Sequence, residues 1–370
     1  MMNAQLPRWV DLGLIPLLNL LAAFLVAGLV VLLVGESPVE AVQVILYGAF
    51  GFGEGIGFTL FYATNFIFTG LAVAVAFHAR LFNIGGEGQA YIGGLGVALV
   101  CLALDRYLPW WVIAPLAALG GAAFGAGWAF LPAYLQATRG SHIVITTIMF
   151  NFLAASLMVY LLVNVLKVEG AMAPESRTFE PAGRMPKIGW FVELFGRDMG
   201  GAPANLSFFL ALIACVAVWV LIWRTRLGYE IRTFGANPTA AVYAGISPVR
   251  ITVTTMLISG GLAGLMALNP VMGDQNRLFL DVAGGAGFVG IAVALMGRAH
   301  PLGVALAALL FGVLYQGGAE LAFEMPNITR DMVVVIQGLV VLFAGALEFM
   351  FRPAVARVFA MLPGGRKETA

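Results

Sequence analysis

The stretch FNIGGEGQAYIGG, residues 82–94, places a carboxylate and two amides among five glycines in a strongly apolar chain. An ionisable group at membrane depth costs on the order of 3 kcal/mol or more, so it usually faces a cavity or a partner. Glu87 therefore has two open interpretations: a group on a solute pathway or gate, or a carboxylate that caps a helix start by accepting backbone N–H groups. Asn83 also has two open interpretations, either a group that caps a helix start or a polar bridge between two helices. If the apolar span begins at Gly88, Glu87 lies just inside the cytoplasmic face.

Further polar side chains occur within or at the ends of apolar runs, namely Asn65, Thr146, Thr147, Asn151, Asn269, Gln316 and Glu320. Hydrogen bonds between helices, each worth about 0.6 kcal/mol on average, are one explanation. A lumen that hydrates a polar solute is the other, and it makes six residues candidates for the solute pathway: Asn65, Asn83, Glu87, Gln89, Thr147 and Asn151. No relay of buried acids is visible, which argues against a proton-driven carrier.

Other chemistry finds little support in the sequence. Residues 285–290, GAGFVG, match a dinucleotide-binding pattern, but no strand precedes them and no acid follows about 20 residues later, so we interpret them as a helix-packing surface. A P-loop, a nucleophilic triad and a metal-ligand spacing are missing from the sequence, which predicts no catalytic site, no metal and no cofactor on this chain. A net charge of +1 gives no basic field for nucleic acid. Cys101 and Cys215 lie in apolar runs and are expected to be buried small hydrophobes.

Composition assigns the chain to the lipid bilayer. Of its 370 residues, 61% are hydrophobic and only 11% are charged, against roughly 25% charged in soluble proteins. We therefore predict an all-α polytopic membrane protein. Uncharged runs predict about ten transmembrane helices, at 12–34, 55–77, 88–104, 107–135, 143–166, 204–223, 251–273, 282–297, 301–319 and 332–347. Three of these runs (88–104, 282–297 and 332–347) are short for a full crossing.

The distribution of lysine and arginine orients these helices. With the N-terminus inside, twelve of the twenty basic residues lie in cytoplasmic segments, and both termini are then cytoplasmic. Residues 1–370 form one transmembrane domain in this prediction, with an external loop at 167–203 and a basic cytoplasmic segment at 224–250. Within the external loop, Ile188–Gly196 is either a short helix at the membrane interface or a plain surface loop.

Two regions of the chain have the same order of predicted segments. A glycine-rich short helix comes first, a break that contains a proline follows, and a helix rich in small residues comes last. These regions are 93–135 and 284–322, and they cross in opposite directions in this topology, as an inverted repeat would. Chance recurrence of Ala, Leu and Gly is the alternative. Two small-xxx-small motifs, Gly121 with Gly125 and Gly260 with Gly264, predict close helix packing without indicating a function.

Three motifs together resemble the permeases of bacterial ABC importers for branched-chain amino acids, simple sugars and nucleosides. They are FNIGGEGQ at 82–89, GSHIVITTIMFN at 140–151 and RTRLGYEIRTFGANPTAAVYAGISPVR at 224–250. The likeness extends from about residue 50 to 350, and the first two motifs are most similar to the nucleoside branch that works with a basic membrane lipoprotein. One departure is Ser141-His142, where the commoner motif has Asn-Glu.

The resemblance implies a mechanism for the 224–250 segment. In such permeases a short cytoplasmic coupling helix docks in a groove of the ATPase, and the matching residues here are Arg232, Gly235, Asn237, Ala240, Ala241 and Gly245. Small residues would let the helix seat deeply, and the glycines at both ends would let it pivot. A basic loop that only obeys the charge rule is the alternative.

The resemblance also implies partners and a location. The partners are a P-loop ATPase that uses the ATP, an extracytoplasmic solute-binding protein, and a second permease chain in an expected heterodimer or a copy of this chain in a homodimer. The chain itself would be a transport subunit and no enzyme, spanning the bacterial cytoplasmic (inner) membrane. The expected solute is a nucleoside or a related ribose-like compound. A permease for simple sugars or branched-chain amino acids and an ion-coupled secondary carrier are the alternatives.

Overall fold

The computed structural model describes residues 7, 10–194, 196–343 and 351–361. Helices make up 76% of the described residues, and these residues form no strand beyond an isolated bridge between Lys187 and Asn205. The prediction of an all-α fold is confirmed. The ends of the chain, including Arg8, Arg366 and Lys367, and Phe195 of the predicted interfacial helix lie outside the described residues.

The helices follow the predicted apolar runs closely. They are α1 (Ile15–Leu33), α2 (Pro38–Phe50), α3 (Gly53–His78), α4 (Gly86–Leu104), α5 (Trp110–Arg139), α6 (Ile143–Leu161), α7 (Gly189–Glu193), α8 (Ser207–Arg224), α9 (Arg226–Ala236), α10 (Pro238–Tyr243), α11 (Pro248–Leu265), α12 (Ala286–Met296), α13 (Pro301–Glu324), α14 (Arg330–Val341) and α15 (Arg352–Met361). Turns of π-helix precede α1 and extend α6 to Leu166, and another follows α11 at Asn269–Asp274.

Seven described helices are long and apolar enough to cross a membrane, or eight if α1 and α2, which meet at 113°, form one bent span. The predicted run at 282–297 yields only the 11 residues of α12, too short for a bilayer that needs about 20. The run at 332–347 yields the 12 residues of α14, and its end lies beyond the described residues. Ten crossings and cytoplasmic termini stay predictions.

Contacts divide the chain into two units, Met1–Gly48 with Gly317–Ala370, and Ala49–Gln316. In the first, α1 packs on α14 and Glu36 Oε1 accepts a hydrogen bond from Asn327. All the residues predicted to serve the solute or the ATPase lie in the second. The prediction of one functional transmembrane domain stays a prediction.

Glycine contacts hold the centre of the second unit together. A Cβ on Gly125 would lie 2.3 Å from the Gly260 carbonyl oxygen, and one on Gly264 would lie 2.2 Å from that of Gly121. The two predicted small-xxx-small motifs therefore pack α5 and α11 against each other, as expected. Gly93 of α4 packs on the same glycine of α11, since a Cβ on Gly93 would lie 2.4 Å from Gly264 Cα. Without these glycines the three backbones could not approach so closely. Cys101 and Cys215 are buried and free, also as predicted.

The external loop is tied to the segment after α11. Ser176 N donates to the Leu278 carbonyl oxygen at 2.9 Å, and Phe179 N donates to that of Asn276 at 2.7 Å. The short helix predicted at 188–196 is present but limited to the five residues of α7, where Trp190 stacks on Phe209 at a centroid distance of 5.9 Å. Its place at the membrane interface stays a prediction.

Candidate functional site

The first turn of α4 lies deep among the helices. Asn83 Nδ2 donates to Ser259 Oγ at 2.8 Å, and Ser259 Oγ donates to the Ala72 carbonyl oxygen at 2.6 Å. Ala72 precedes the end of α3 by about one and a half turns, and Ser259 follows the start of α11 by about three. The start of α4 therefore lies beside α3 and α11 and away from their ends, while the expected position of Glu87 just inside the cytoplasmic face stays a prediction. Residues 79–85 run back along α3 instead of turning at a surface, which carries the start of α4 inward.

Glu87 caps a helix, but the helix is α12 and not its own. Its Oε1 accepts from Gly285 N and its Oε2 from Gly287 N, each at 2.8 Å. The first turns of α4 and α12 touch, because a Cβ on Gly287 would lie 2.2 Å from Glu87 N. A buried carboxylate there satisfies two otherwise unpaired N–H groups and offsets the positive ends of two helices at once. Of the two interpretations of Glu87, the geometry matches the cap.

The two helices leave this junction in opposite directions. Asn83 and Gln89 lie near Ser259, and Gly93 lies near Gly264, so α4 runs parallel to α11. Further contacts join Gly290 to Thr69, and Ala299 to His78, so α12 runs parallel to α3. Since α3 and α11 are antiparallel, judged from the Ala72–Ser259 and Asn65–Asn269 contacts, so are α4 and α12. An inverted repeat needs this relation, although the repeat itself stays a prediction.

Four more predicted pathway residues surround the same junction. Asn83 and Gln89 pair through two side-chain hydrogen bonds of 2.8 and 3.2 Å, and Asn83 Oδ1 also accepts from Gly85 N at 2.9 Å. Asn151 of α6 accepts from Gly88 N and donates to the Ile84 carbonyl oxygen, both at 2.9 Å. Thr147 donates to its own helix, at Ile143. All four are buried, and their hydrogen bonds connect protein groups to one another.

The sixth candidate, Asn65, lies elsewhere, at a cavity of about 200 Å³. Its Oδ1 accepts from Asn269 Nδ2 at 2.8 Å, and Asn269 Oδ1 in turn accepts from Asn205 at 2.7 Å and Ser207 at 3.0 Å. A fully buried amide thus joins α3, α8 and the π-helical turn at Asn269–Asp274. This network holds Asn65 at the cavity wall.

The cavity combines aromatic rings with a few polar groups. Its walls are Phe61, Tyr62, Asn65, Phe66, Pro270, Asp274, Gln275, Phe279, Val282, Ala283, Gly284, Ala286 and Tyr315. Tyr315 contacts Phe66 and Tyr62 at centroid distances of 4.9 and 5.6 Å, and Gln275 donates to Asp274 Oδ2 at 3.0 Å. A concave, mostly apolar surface with a small number of convergent polar groups is the usual form of a small-molecule site.

Most of the cavity residues escaped the sequence analysis. Asp274, Gln275 and Phe279 follow an apolar run and resemble an ordinary loop in sequence. The available signal was Pro270 inside the run at 251–273, because a proline breaks the regular helix and a broken helix commonly marks a binding region in transporters.

The predicted coupling residues lie between Arg232 in α9 and Gly245 after α10, and α10 forms a projection in which every residue except Ala241 is exposed. Asn237 Oδ1 accepts from Ala240 N at 3.1 Å and so caps α10. Val242 and Tyr243 are exposed, Tyr243 by 89%, and Ala240 is exposed while Ala241 is buried. Gly245 has φ +78° and ends the segment in a left-handed turn. Arg232 is half-buried, and its Nε finds no hydrogen-bond partner among the described residues.

Gly235 makes a close backbone contact. A Cβ at this position would lie 2.1 Å from the His78 carbonyl oxygen, so the glycine brings the end of α9 into direct contact with the end of α3. The pivot expected of Gly235 stays a prediction.

Several helices of membrane-spanning length, broken helical segments and a small polar-aromatic cavity indicate a multi-pass membrane transport protein. The comparisons with known proteins agree. The family described as branched-chain amino acid transport system, permease component, matches residues 55–345, and the chain belongs to this family.

Three relatives cover nearly the whole chain. The glucose ABC transporter permease protein TsgB13 of Haloferax volcanii is 34% identical over 95% of this chain and 92% of its own. The guanosine ABC transporter permease protein NupP of Bacillus subtilis is 34% identical over 91% and 95%. The nucleoside ABC transporter permease protein NupB of Lactococcus lactis is 30% identical over 94% of both.

Proposed function

We propose that this chain is the permease subunit of an ATP-driven importer of nucleosides or related ribose-like solutes in the bacterial cytoplasmic membrane. The observation that carries the proposal is the cavity, where aromatic rings of α3, α13 and the segment before α12 adjoin Asn65, Asp274 and Gln275. Stacking of a base on an aromatic side chain is worth about 1–3 kcal/mol. The names of NupP and NupB support the same class of solute.

The polar groups suit the two halves of a nucleoside. Asp274 can accept hydrogen bonds from ribose hydroxyls, since an ionised carboxylate is an acceptor only. Because Asn269 engages Asn65 Oδ1, the amide NH₂ of Asn65 is the group that would donate to the solute. The cavity of about 200 Å³ is smaller than the roughly 300–1,000 Å³ of typical ligand sites, so a nucleoside would need the walls to move apart.

Partner proteins would supply the energy for transport and deliver the solute. The exposed α10 would dock on a P-loop ATPase, which binds and hydrolyses the ATP, and an extracytoplasmic binding protein would deliver the solute. A second permease chain, or a second copy of this one, would complete the transporter, with ten crossings per chain and cytoplasmic termini.

A sugar is the second candidate solute, favoured by the similarity to TsgB13. Uptake of radiolabelled guanosine, uridine and glucose by cells that express the complete transporter distinguishes the two. We expect saturable nucleoside uptake that excess glucose does not compete. Glucose uptake without nucleoside uptake would overturn the nucleoside assignment. Uptake that resists ATP depletion but fails with an uncoupler that spares ATP would favour a secondary carrier.

A further inference from the structure

Helix α12 is held at both ends by residues that flank one short segment. At its start, Glu87 accepts from Gly285 N and Gly287 N at 2.8 Å. Beyond its end, His78 Nε2 donates to the Ala299 carbonyl oxygen at 3.1 Å. The first and last residues of the segment 78–87 therefore form hydrogen bonds to the two ends of an 11-residue helix.

The length of α12 packs on α3 without a gap. A Cβ on Gly290 would lie 2.6 Å from Thr69 Cβ, and one on Gly70 would lie 2.8 Å from Val293 Cγ1. Close-packed helices joined by hydrogen bonds at both ends shift together more readily than they deform. Helix α12 and the C-terminal half of α3 are thus expected to move as one rigid body.

One end of this body touches the projection that carries α10. The carbonyl oxygen of His78 lies against Gly235 at the end of α9, and the His78 ring packs edge-on against Trp223 of α8 at a centroid distance of 5.1 Å. Only Asn237 separates α9 from α10. A displacement of α10 therefore reaches His78 through one short, well-packed connection.

The other end of the body is a wall of the cavity. Val282, Ala283, Gly284 and Ala286 line it, and Ala286 is the first residue of α12. Gly284 and Gly285 have φ of +53° and +82°, a conformation that glycine adopts at no steric cost. The wall is therefore a turn attached directly to the helix that Glu87 caps.

We propose that α12 transmits movement of the ATPase-docking projection to the cavity wall, and that His78 and Glu87 are the positioning residues that connect its ends to the rest of the chain. This inference rests on the proposed function, because it takes α10 to be moved by an ATPase. A chain of packed contacts makes such a route physically possible, and only a change in both ends together demonstrates it.

The first test compares ATP hydrolysis with solute uptake in the complex purified with its ATPase and reconstituted in vesicles with the binding protein. His78→Ala and Glu87→Gln are each expected to keep ATP hydrolysis within about twofold of wild type while uptake falls at least tenfold. His78→Gln retains a donor for the Ala299 carbonyl oxygen and should restore most of the uptake. His142→Ala, at an exposed histidine before α6, is the matched control and should behave as wild type. An unchanged ratio of uptake to hydrolysis in both folded variants would overturn the inference.

The second test measures the movement itself and needs no transport. Spin labels at Thr239 on α10 and at Phe288 in the first turn of α12, both exposed, are each paired with a label at Tyr107, and distances are taken with and without nucleotide trapping of the ATPase. In wild type both distances should shift. In His78→Ala only the Thr239 distance should shift, and equal shifts of both would refute the role of α12. Absence of any shift at Thr239 in wild type would instead contradict the proposed ATP-driven function, so the two failures are distinguishable.

Discussion

The carboxylate of Glu87 accepts a hydrogen bond of 2.8 Å from the backbone N–H of Gly287, 200 residues further along the chain. This contact joins the first turns of α4 and α12, and the acid in the sequence FNIGGEGQ is present to complete the start of a distant helix. The surrounding glycines make the contact possible because they let two helix ends meet backbone to backbone. The chemistry of the motif is in this sense architectural, and the turn that Glu87 supports lines the cavity through Gly284 and Ala286.

Gly287→Ala should destabilise the junction. The new Cβ would lie 2.2 Å from Glu87 N, and overpacking of this kind costs about 1–3 kcal/mol or more. We expect the midpoint of thermal unfolding in detergent to fall by about 1–4 °C. Gly127→Ala is the matched control, since a Cβ there meets nothing within 4 Å. An unchanged or slightly raised midpoint is expected for the control, and a similar result for Gly287→Ala would contradict the close contact.

Acid should weaken the attachment of the external loop. Asp105, at the end of α4, receives two hydrogen bonds of 2.7 and 2.8 Å from Arg177 and one of 2.9 Å from Glu180 N. Burial alone would raise the pKa of Asp105, but these donors hold the pKa below its ordinary value. A lowered pKa in the folded state gives stability that is present above the unfolded-state pKa of about 3.9 and lost as the pH falls through the folded-state value.

The measurement is the unfolding midpoint of wild type and Asp105→Asn between pH 7 and pH 3. Wild type should be more stable by about 4 °C or more at neutral pH, and the difference should shrink only below about pH 4. Glu193→Gln, at an exposed acid of α7, should follow the wild-type profile throughout. A difference that is the same at pH 3 as at pH 7 would show that the ionised form of Asp105 contributes nothing.

Phe279→Ala should weaken nucleoside recognition at the cavity. Loss of one stacking ring costs about 1–3 kcal/mol, so the KM for nucleoside uptake should rise about 5- to 150-fold. The measurement is initial uptake rate against nucleoside concentration at saturating binding protein. Phe152→Ala, at a ring on α6 that is 65% exposed, removes the same group away from the cavity and should leave KM within about twofold. Equal effects from both variants would exclude the cavity as the recognition site.

Tyr243→Ala should weaken binding of the ATPase. Tyr243 projects from α10 with 89% of its surface exposed, and a buried interface tyrosine of this kind commonly contributes 2 kcal/mol or more. The amount of ATPase that copurifies with the tagged chain should fall at least tenfold. Tyr107, 81% exposed between α4 and α5, provides the control Tyr107→Ala, which should copurify the ATPase normally. Normal recovery with Tyr243→Ala would remove α10 from the docking surface.

The sequence by itself determined the solvent, the class of fold and the local order of this protein. Long apolar runs of about 20 residues satisfy their backbone hydrogen bonds in lipid as helices, so the runs predicted α3 and α5 with ends wrong by a few residues. The run at 251–273 was wrong about its end, because α11 stops at Leu265 and a π-helical turn follows at Asn269–Asp274. The small-xxx-small motifs predicted close packing correctly because backbone approach depends on residue size alone.

Tertiary structure decided the rest, because the remaining features depend on contacts between distant segments. Glu87 is equally compatible with a pathway and a cap until Gly285 and Gly287 are brought to its oxygens. Asp274 and Phe279 became walls of a cavity only when the π-helical turn after α11 was placed beside Asn65. The contact between Gly235 and His78 likewise appears only when the end of α9 is placed beside the end of α3. Hydrophobicity and spacing describe what each segment can do alone, whereas a polar group in a membrane protein takes its role from the partner that the fold supplies.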